Sequence, residues 1–296
     1  MFYAPIPSGA LRVTGSDRVP FVHGQVSNDV RGLPVPGGCR AVILNAKGQI
    51  EFDVRIYRRA DDLYIQTDGD LESAVYERLK RYIVFDDVQL EDITAKISAS
   101  HVSADLVQKL GFTPDGADVQ LLEGDFGTLL AARVERGLAG GVDVHVLRSR
   151  ADALGTFFQT HAEPLNVTDL ERARLRAGLP DAHRDGFLER LPQECGLEPA
   201  VSYRKGCYIG QEIMARLEAR GNTRYALQSV MLERPVSVGA AVTLEGKTVG
   251  QVGSSIVDGE SVIGLAVLRR DLEPEVSLFV DDVRLEAALN PSTLTR

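Results

Sequence analysis

The stretch RKGCYIGQE at 204–212 combines the residue types that thiol chemistry needs. Two glycines flank Cys-Tyr-Ile and predict a constrained turn, and the residues after it predict a helix that stops at Gly221. Cys207 then lies just before a helix N-terminus, beside Arg204 and Lys205. Backbone N–H groups and neighbouring cations stabilise a thiolate, so a reactive cysteine is expected here. The alternative, a small apolar side chain that fills a turn, stays open.

A carboxylate on a predicted strand is the second candidate for chemistry. The run IEFDVRIY at 50–57 strictly alternates apolar with other residues, which is typical of a half-buried strand. RAVIL at 40–44 precedes it, and the Asn-Ala-Lys-Gly between the two runs predicts a hairpin. Asp53 then faces away from the apolar stripe, where it either contacts a ligand or forms part of the polar face of the strand.

Three arginines follow one another at alternate positions of a predicted helix. Residues 168–171, Thr-Asp-Leu-Glu, have the form of a capping box, and the helix LERARLRAG that follows ends at Gly178. A spacing of two residues spreads Arg172, Arg174 and Arg176 around the helix axis, so at most two share a face. A solvated helix face is the default prediction, with ligand binding as the alternative.

These residues must be positioned by a mixture of strands and helices. After the hairpin come a strand LYIQT and a helix that Asp70 can cap, and the middle of the chain has strands TLLAARVER and VDVHVL followed by a helix at about 150–161. From about Tyr225, roughly six short glycine-punctuated runs, ending in VRLEAAL, predict a small antiparallel barrel or sandwich. The pattern predicts an α+β fold with a domain boundary near residue 225.

Composition excludes several classes of protein. The chain has 296 residues, a formal net charge of −9, and 44% hydrophobic and 25% charged residues, which are ordinary values for a folded protein. No run approaches the roughly 18 apolar residues of a membrane span, and the start lacks a secretory pattern, so a cytoplasmic location is expected. The three cysteines, Cys39, Cys195 and Cys207, form no CxxC and no disulfide framework. No histidine stands in a metal-spaced pair, so no metal site is predicted.

The sequence resembles a known family over nearly its whole length. KGCYIGQE at 205–212 is similar to the signature of the YgfZ-type folate-binding proteins, which are relatives of the glycine-cleavage T-protein, an aminomethyltransferase. Further matching segments, in the same order and spacing, are FVHGQVSNDV, LNAKGQIEFDV, RGLAGGVDVHV, RARLRAGLP, LPQE and ARLEARG. The resemblance implies a three-domain arrangement like the T-protein. Residues 1–225 would form two intertwined sheet-and-helix domains that bind folate, and 226–296 a C-terminal antiparallel β-barrel.

The resemblance also implies site residues for a tetrahydrofolate or a one-carbon derivative. Members of the superfamily hold the folate in a central channel, with an acid for the pteridine and basic residues for the glutamate tail. A carboxylate accepts two adjacent pteridine N–H groups, which suits an acid. The residues that match folate contacts or their surroundings are Asp143, Arg174, Arg204, Lys205, Tyr208, Gln211, Asn28 and Gln25. For Asp143 the exposed face of the strand VDVHV is the alternative, and for Asn28 an ordinary turn.

Two functions remain open on this resemblance. The first is an accessory protein that uses Cys207 to support assembly or repair of iron–sulfur enzymes, with an indirect effect on tRNA modification. Its partners would be iron–sulfur client enzymes or assembly proteins, and a monomer is favoured. The second is a folate-dependent aminomethyltransferase in which Asp53 is catalytic. Asp53 matches the second of two adjacent T-protein aspartates, but Phe52 occupies the first position, and no residue decides whether the chain turns over a substrate.

Direct action on tRNA is a third candidate. It needs a basic stripe with exposed aromatic residues, because RNA-binding surfaces contact phosphates and stack on bases. A net charge of −9, the absence of Trp and 6% aromatic residues oppose it. Neither direct nucleic-acid binding nor membrane binding is therefore expected.

Overall fold

The computed structural model describes residues 1–221, 223–273 and 276–287. By compactness the chain divides into two units. The first comprises Met1–Ile43 and Asp53–Leu170, and the second comprises Leu44–Phe52 and the described residues from Glu171 onward. The boundary predicted near residue 225 coincides with the start of a strand at Tyr225. That this position bounds a domain of its own stays a prediction.

Two β-sheets make up most of the first unit. Their strands are β1 (Phe2–Pro5), β2 (Ser8–Thr14), β3 (Gly37–Leu44), β4 (Ile50–Arg58), β5 (Leu63–Asp68), β6 (Gln89–Asp92), β7 (Ile97–Ser103), β8 (Val119–Gly124), β9 (Gly127–Arg133), β10 (Gly141–Leu147) and β11 (Glu163–Pro164). One sheet has the order β11-β1-β7-β10-β9-β8 and the other β3-β4-β5-β2-β6. The predicted neighbours β3 and β4 are adjacent in the second of these sheets.

Four helices accompany the sheets: α1 (Arg18–Gln25), α2 (Glu72–Lys80), α3 (Ala104–Gln108) and α4 (Ala151–His161). The helix predicted at 150–161 corresponds to α4. Asp70 does not cap α2, because the N-cap position is held by Leu71 without a side-chain hydrogen bond. The helix ends at Lys80.

Strand β10 is buried on both of its faces. Val142, Val144 and Val146 pack against Leu154 and Phe158 of α4. The opposite face is covered because residues of the two sheets, including Tyr64 of β5 and Leu130 of β9, form one apolar cluster. A strand covered on both sides must satisfy any polar side chain internally, since water does not reach it.

The second unit contains a closed antiparallel barrel. Its strands are β12 (Tyr225–Leu232), β13 (Ala241–Leu244), β14 (Lys247–Asp258), β15 (Ser261–Arg269), β16 (Leu278–Val280) and β17 (Val283–Ala287). They close in the order β12-β15-β14-β13-β16-β17. The predicted α+β class and C-terminal barrel are confirmed. The last two residues of the predicted strand VRLEAAL lie outside the described residues.

Two further helices, α5 (Val167–Arg176) and α6 (Gln211–Arg220), precede the barrel. The capping box of α5 lies two residues earlier than predicted. The Asp169 N–H donates to Asn166 Oδ1 and the Asn166 N–H donates to Asp169 Oδ2, both at 3.0 Å. Asparagine is a stronger N-cap than threonine, so this reciprocal pair fixes the helix start. The predicted stop is correct, since Gly178 has a positive φ of 68°.

Candidate functional site

The cysteine segment forms an exposed loop before α6. Cys207 is exposed and lies four residues before Gln211, the first residue of the helix. The backbone N–H of Tyr208 donates to Gln211 Oε1 at 3.2 Å, which ties the loop to the helix. Lys205 Nζ lies 4.7 Å from the centre of the Tyr208 ring. The loop therefore presents a thiol, a cation and an aromatic ring on one short segment.

The turn between β3 and β4 packs against the start of α6. The Gly48 N–H donates to the carbonyl oxygen of Asn45 at 2.9 Å, as the predicted hairpin requires. A Cβ at Gly210 would lie 2.8 Å from that same carbonyl oxygen, and one at Gly48 would lie 2.9 Å from Ile213 Cβ. Gly210 also has φ of 87°. Glycine is required at both positions, because a side chain would separate the turn from the helix.

Asp53 is held by a two-point ion pair. Arg40 Nε donates to Asp53 Oδ1 at 2.9 Å, and its NH2 group donates to Oδ2 at 2.5 Å. The Asn28 amide donates to the backbone carbonyl of Arg40 at 2.8 Å. The structure therefore brings Asn28 and Asp53 together through Arg40. Gln25 contacts a different partner, Arg78, at 3.3 Å.

Asp143 lies in a buried charge cluster of the first unit. Its side chain is 0% exposed, and β10 places it directly opposite His101 of β7. His101 Nδ1 donates to Oδ1 at 2.7 Å, and Arg136 donates to both oxygens, with NH2–Oδ2 at 2.8 Å. Arg136 also contacts Asp68 Oδ2 at 3.2 Å. The sequence alternative, an exposed strand face, is wrong, because the second sheet covers this face.

The ion pairs of the cluster keep its carboxylates ionised. Burial opposes ionisation of Asp143, but the charge of Arg136 and the hydrogen bonds from His101 and Arg136 outweigh it, so the pKa lies well below its ordinary value. For Asp68 burial again opposes ionisation, and Arg136 and Arg55 lower the pKa. Gly141 makes room for the His101 ring, since a Cβ there would lie 2.2 Å from its Nε2 atom. The hydrogen bonds of the cluster therefore hold the charged groups of Asp143, Arg136 and Asp68 in fixed positions.

Arg174 is also buried, and it bridges two carboxylates of the second unit. Its side chain is 11% exposed and contacts Asp185 through NH1–Oδ2 at 2.8 Å and Glu171 through NH2–Oε1 at 2.5 Å. Burial lowers its pKa, but the hydrogen bonds to both carboxylates outweigh this and raise it. The default prediction of a solvated side chain is wrong for Arg174. The prediction of a solvated side chain fits Arg176 better, because Arg176 is 51% exposed and pairs with Asp258.

Several partners were missed in the sequence. They are Arg40, Asp68, His101, Arg136, His145 and Asp185. The sequence contains one signal for Arg40. In a hairpin that pairs Asn45 with Gln49, the residue five positions before Asn45 is Arg40, and it lies opposite the residue five positions after Gln49, which is Val54. Asp53 is the neighbour of Val54. No comparable signal exists for His101 and Arg136, because their contacts depend on which strands become neighbours.

His145 lies two residues beyond Asp143 on the same face of β10. Its ring is buried, and Nδ1 lies 3.0 Å from the Tyr64 hydroxyl. Burial lowers the pKa of His145 to about 4, and burial also raises the pKa of Tyr64. The imidazole is therefore neutral at pH 7, and the phenol keeps its proton.

Because of His145, we expect the free energy of unfolding to decrease as the pH falls. The unfolded state binds a proton near pH 6.5 whereas the folded state resists until about pH 4, so the stabilising contribution is complete above pH 6.5 and is lost as the pH falls to about 4. The loss is on the order of 3 kcal/mol, from 1.36 kcal/mol per pKa unit. Urea unfolding at pH 7.5, 6 and 5 covers the upper part of this range, over which the expected loss is about 2 kcal/mol.

His183→Gln is the matched control for this pH dependence, because His183 is exposed. Its variant should keep the same loss of stability with pH, whereas His145→Gln should flatten the curve. The low pKa values of Asp68 and Asp143 act only below about pH 4, outside this window. Equal slopes in all three proteins would contradict the assignment to His145.

The described residues contain no group of three or more His, Cys, Asp and Glu side chains arranged to hold a metal ion. None of the described helices combines the length and the apolar character that crossing a membrane requires.

Comparison with known proteins identifies relatives along most of the chain. The tRNA-modifying protein YgfZ of Yersinia enterocolitica is 25% identical over 287 residues, 92% of this chain and 85% of the relative. The protein of the same name from Serratia proteamaculans is 27% identical over 301 aligned positions, covering 95% and 88%. A chloroplastic protein of Arabidopsis thaliana, whose name describes a transferase, is 25% identical over 88% of this chain, which spans 63% of that protein's length. No family model matches the chain.

A solved structure gives the same fold. The glycine cleavage system aminomethyltransferase T from Bartonella henselae superposes with a TM-score of 0.82 at 16% identity, covering 98% of this chain and 85% of that one. At this identity the likeness concerns the fold alone. The resemblance predicted from the sequence is confirmed: the chain is a relative of the YgfZ-type proteins and has the fold of the glycine-cleavage T-protein.

Proposed function

We propose that this protein binds a tetrahydrofolate, or a one-carbon derivative of it, and supports the assembly or repair of iron–sulfur enzymes through Cys207. The effect on tRNA modification is then indirect, through iron–sulfur enzymes that modify tRNA. The observation that carries the proposal is the similarity, over about nine-tenths of the chain, to proteins named tRNA-modifying protein YgfZ. The exposed thiol of the cysteine loop supports it, because a group that meets a partner protein must be accessible.

The cysteine loop also suits the anionic tail of a folate. Arg204 is exposed and Lys205 is half-buried. Both are cations, and a glutamate tail presents carboxylates that such cations bind through charge-assisted hydrogen bonds. Burial raises the pKa of the neighbouring Tyr208 to about 12, so its phenol stays neutral and offers a ring face and a hydroxyl. These residues fit the charged end of the ligand.

The buried residues fit a folate less directly. Asp143 is fully buried with both oxygens bound, and Arg174 is held between two carboxylates. For Asp143 to contact a pteridine, the cluster must open and Arg136 must release one oxygen. Asp53 is closer to the surface, with 10% of its side chain exposed and a carboxylate oriented by Arg40. Contacts of Asp53, Asp143, Arg174, Asn28 and Gln25 with folate stay predictions.

A single cysteine is sufficient for the chemistry we propose at Cys207. The three cysteines of the chain are far apart in sequence, and four protein ligands are normal for a cluster, so stable ligation by this chain alone is not expected. One thiolate can attack a disulfide of a client protein, forming a mixed disulfide while the second client sulfur leaves as a thiolate. One thiolate can equally supply a ligand that is shared with a client.

The alternative is a folate-dependent aminomethyltransferase. The T-protein fold and the oriented carboxylate of Asp53 favour it. It requires Asp53 and no thiol, whereas the accessory function requires Cys207. Phe52 stands where the T-protein has the first of two aspartates, which leaves Asp53 without an acidic neighbour at that position.

Removing the two loop cations tests the proposed folate site. In Arg204→Gln/Lys205→Gln, the dissociation constant for tetrahydrofolate should rise about 10–100-fold, because two charge-assisted contacts to the tail are lost. Binding of 6-methyltetrahydropterin, which lacks the tail, should not change. Calorimetric titration measures both.

Arg234→Gln removes an exposed cation of the barrel and is the control for loss of a surface cation outside the cysteine loop. It should bind tetrahydrofolate like the parent protein. If the double variant also binds like the parent, the tail does not contact the cysteine loop.

A further inference from the structure

The first unit contains a partly open cavity that the proposed function does not use. Its volume is about 460 Å³, within the range of small-molecule sites. Residues from both sheets line it, among them Tyr64, Leu130 and His145, together with Phe126 and Ile97. None of the residues predicted to contact folate, and none of the cysteines, belongs to its lining.

Within the part of the chain that the structure describes, one buried side-chain nitrogen of the cavity lining has no hydrogen-bond partner. His145 is 4% exposed, and its Nε2 atom has no hydrogen-bond partner in the structure. The Tyr64 hydroxyl lies 3.0 Å from Nδ1, and a hydroxyl that donates to Nδ1 places the imidazole proton on Nε2. A buried donor without an acceptor is costly, and an acceptor on a ligand would satisfy it.

The rim of the cavity is cationic. Arg150 lines it and is exposed. Arg59 also lines it, but both Arg59 Nε and NH2 donate to Asp62, at 2.6 and 2.7 Å, and its guanidinium lies 5.9 Å from the centre of the Tyr64 ring. Arg59 therefore serves as a fixed wall, and Arg150 is the cation placed to meet an anion at the entrance.

We propose that this cavity is a second ligand site, which binds a small aromatic carboxylic acid. The aromatic body packs among Ile97, Phe126 and Leu130, an oxygen on the ring accepts from His145 Nε2, and the carboxylate pairs with Arg150. Apolar walls supply most of the affinity, and the two polar contacts fix the orientation of the ligand.

The probe is 6-hydroxynaphthalene-2-carboxylate, which has a ring oxygen at one end and a carboxylate at the other. Calorimetric titration of the full chain should give saturable binding of one molecule. Ring signals of labelled histidine, of which the chain has five, should shift for His145, which is identified by its absence in His145→Gln. No saturable binding, or a shift confined to other histidines, would overturn the proposal.

Two variants at exposed positions test the proposed binding geometry without changing a residue of the hydrophobic core. Leu121 lines the cavity but is 39% exposed, so Leu121→Trp should fill the space, abolish binding and leave the melting temperature near that of the parent. Arg150→Gln should weaken binding about tenfold, as expected for loss of one charge-assisted contact. Lys109→Gln is the matched control, because Lys109 is exposed and does not line the cavity.

Competition separates this site from a folate site. Saturating tetrahydrofolate should leave the affinity for the naphthalene probe unchanged, since the two sites share no residues. Displacement of the probe by tetrahydrofolate would overturn the proposal of a second site. Unchanged binding in Leu121→Trp would overturn it as well, whatever the outcome for folate.

Discussion

Replacing Cys207 by serine is expected to abolish the accessory function while the protein stays folded. In cells that lack the gene, the parent chain should restore thiolated nucleosides in tRNA, and Cys207→Ser should give the level of the empty control. The reason is that serine lacks the nucleophilicity and metal affinity of a thiolate. The side chain is exposed, so the free energy of unfolding should change by less than about 0.5 kcal/mol.

Asp53→Asn is the contrasting variant. It keeps the size of the side chain and removes the charge that pairs with Arg40. The accessory function predicts that it restores thiolated tRNA where Cys207→Ser does not. An aminomethyltransferase predicts the reverse. Restoration by both variants would show that neither residue carries the function, and the site assignment would then be wrong.

Replacing Arg136, whose side chain is 13% exposed, should produce the largest loss of stability. Arg136→Met removes the cation that Asp143 and Asp68 share. Asp143 then keeps the hydrogen bond from His101, and Asp68 keeps the weaker ion pair with Arg55. Breaking a buried ion pair on one side costs about 3–5 kcal/mol. Urea denaturation at pH 7 should show this decrease in the free energy of unfolding, with the fluorescence of the eight tyrosines as the signal.

Lys96→Met is the matched control for this loss. Lys96 pairs with Glu91 in the same unit, but the two side chains are 63% and 45% exposed. Solvent screens such a pair, so the free energy of unfolding of Lys96→Met should be indistinguishable from that of the parent protein. A loss for Arg136→Met no larger than the control would contradict the role assigned to the cluster.

Local signals in the sequence predicted much of the fold. Strict alternation marks β4, the turn Asn45–Gly48 marks its hairpin with β3, and glycine-punctuated runs mark the barrel. These features are encoded by neighbours in sequence, because side-chain alternation and turn chemistry act over a few residues. The shift of the α5 capping box to Asn166 shows the limit, since two overlapping motifs compete for one helix start.

The environment of the charged residues was not predictable in the same way. Alternation in VDVHV correctly places Asp143 and His145 on one face, but only the second sheet decides that this face is buried. From the sequence, Arg174 is predicted to be solvated, and only the folded structure places Asp185 next to it. Such contacts depend on tertiary structure, and a single sequence gives no signal for pairs that lie so far apart.

Calorimetric titration of the unmodified chain with tetrahydrofolate tests the central claim most directly. We predict saturable binding of one folate per chain that persists in Cys207→Ser, because ligand binding and thiol chemistry are assigned to different groups. Absence of binding heat at millimolar folate, with the protein shown to be folded by circular dichroism, would contradict a folate-dependent function for this protein.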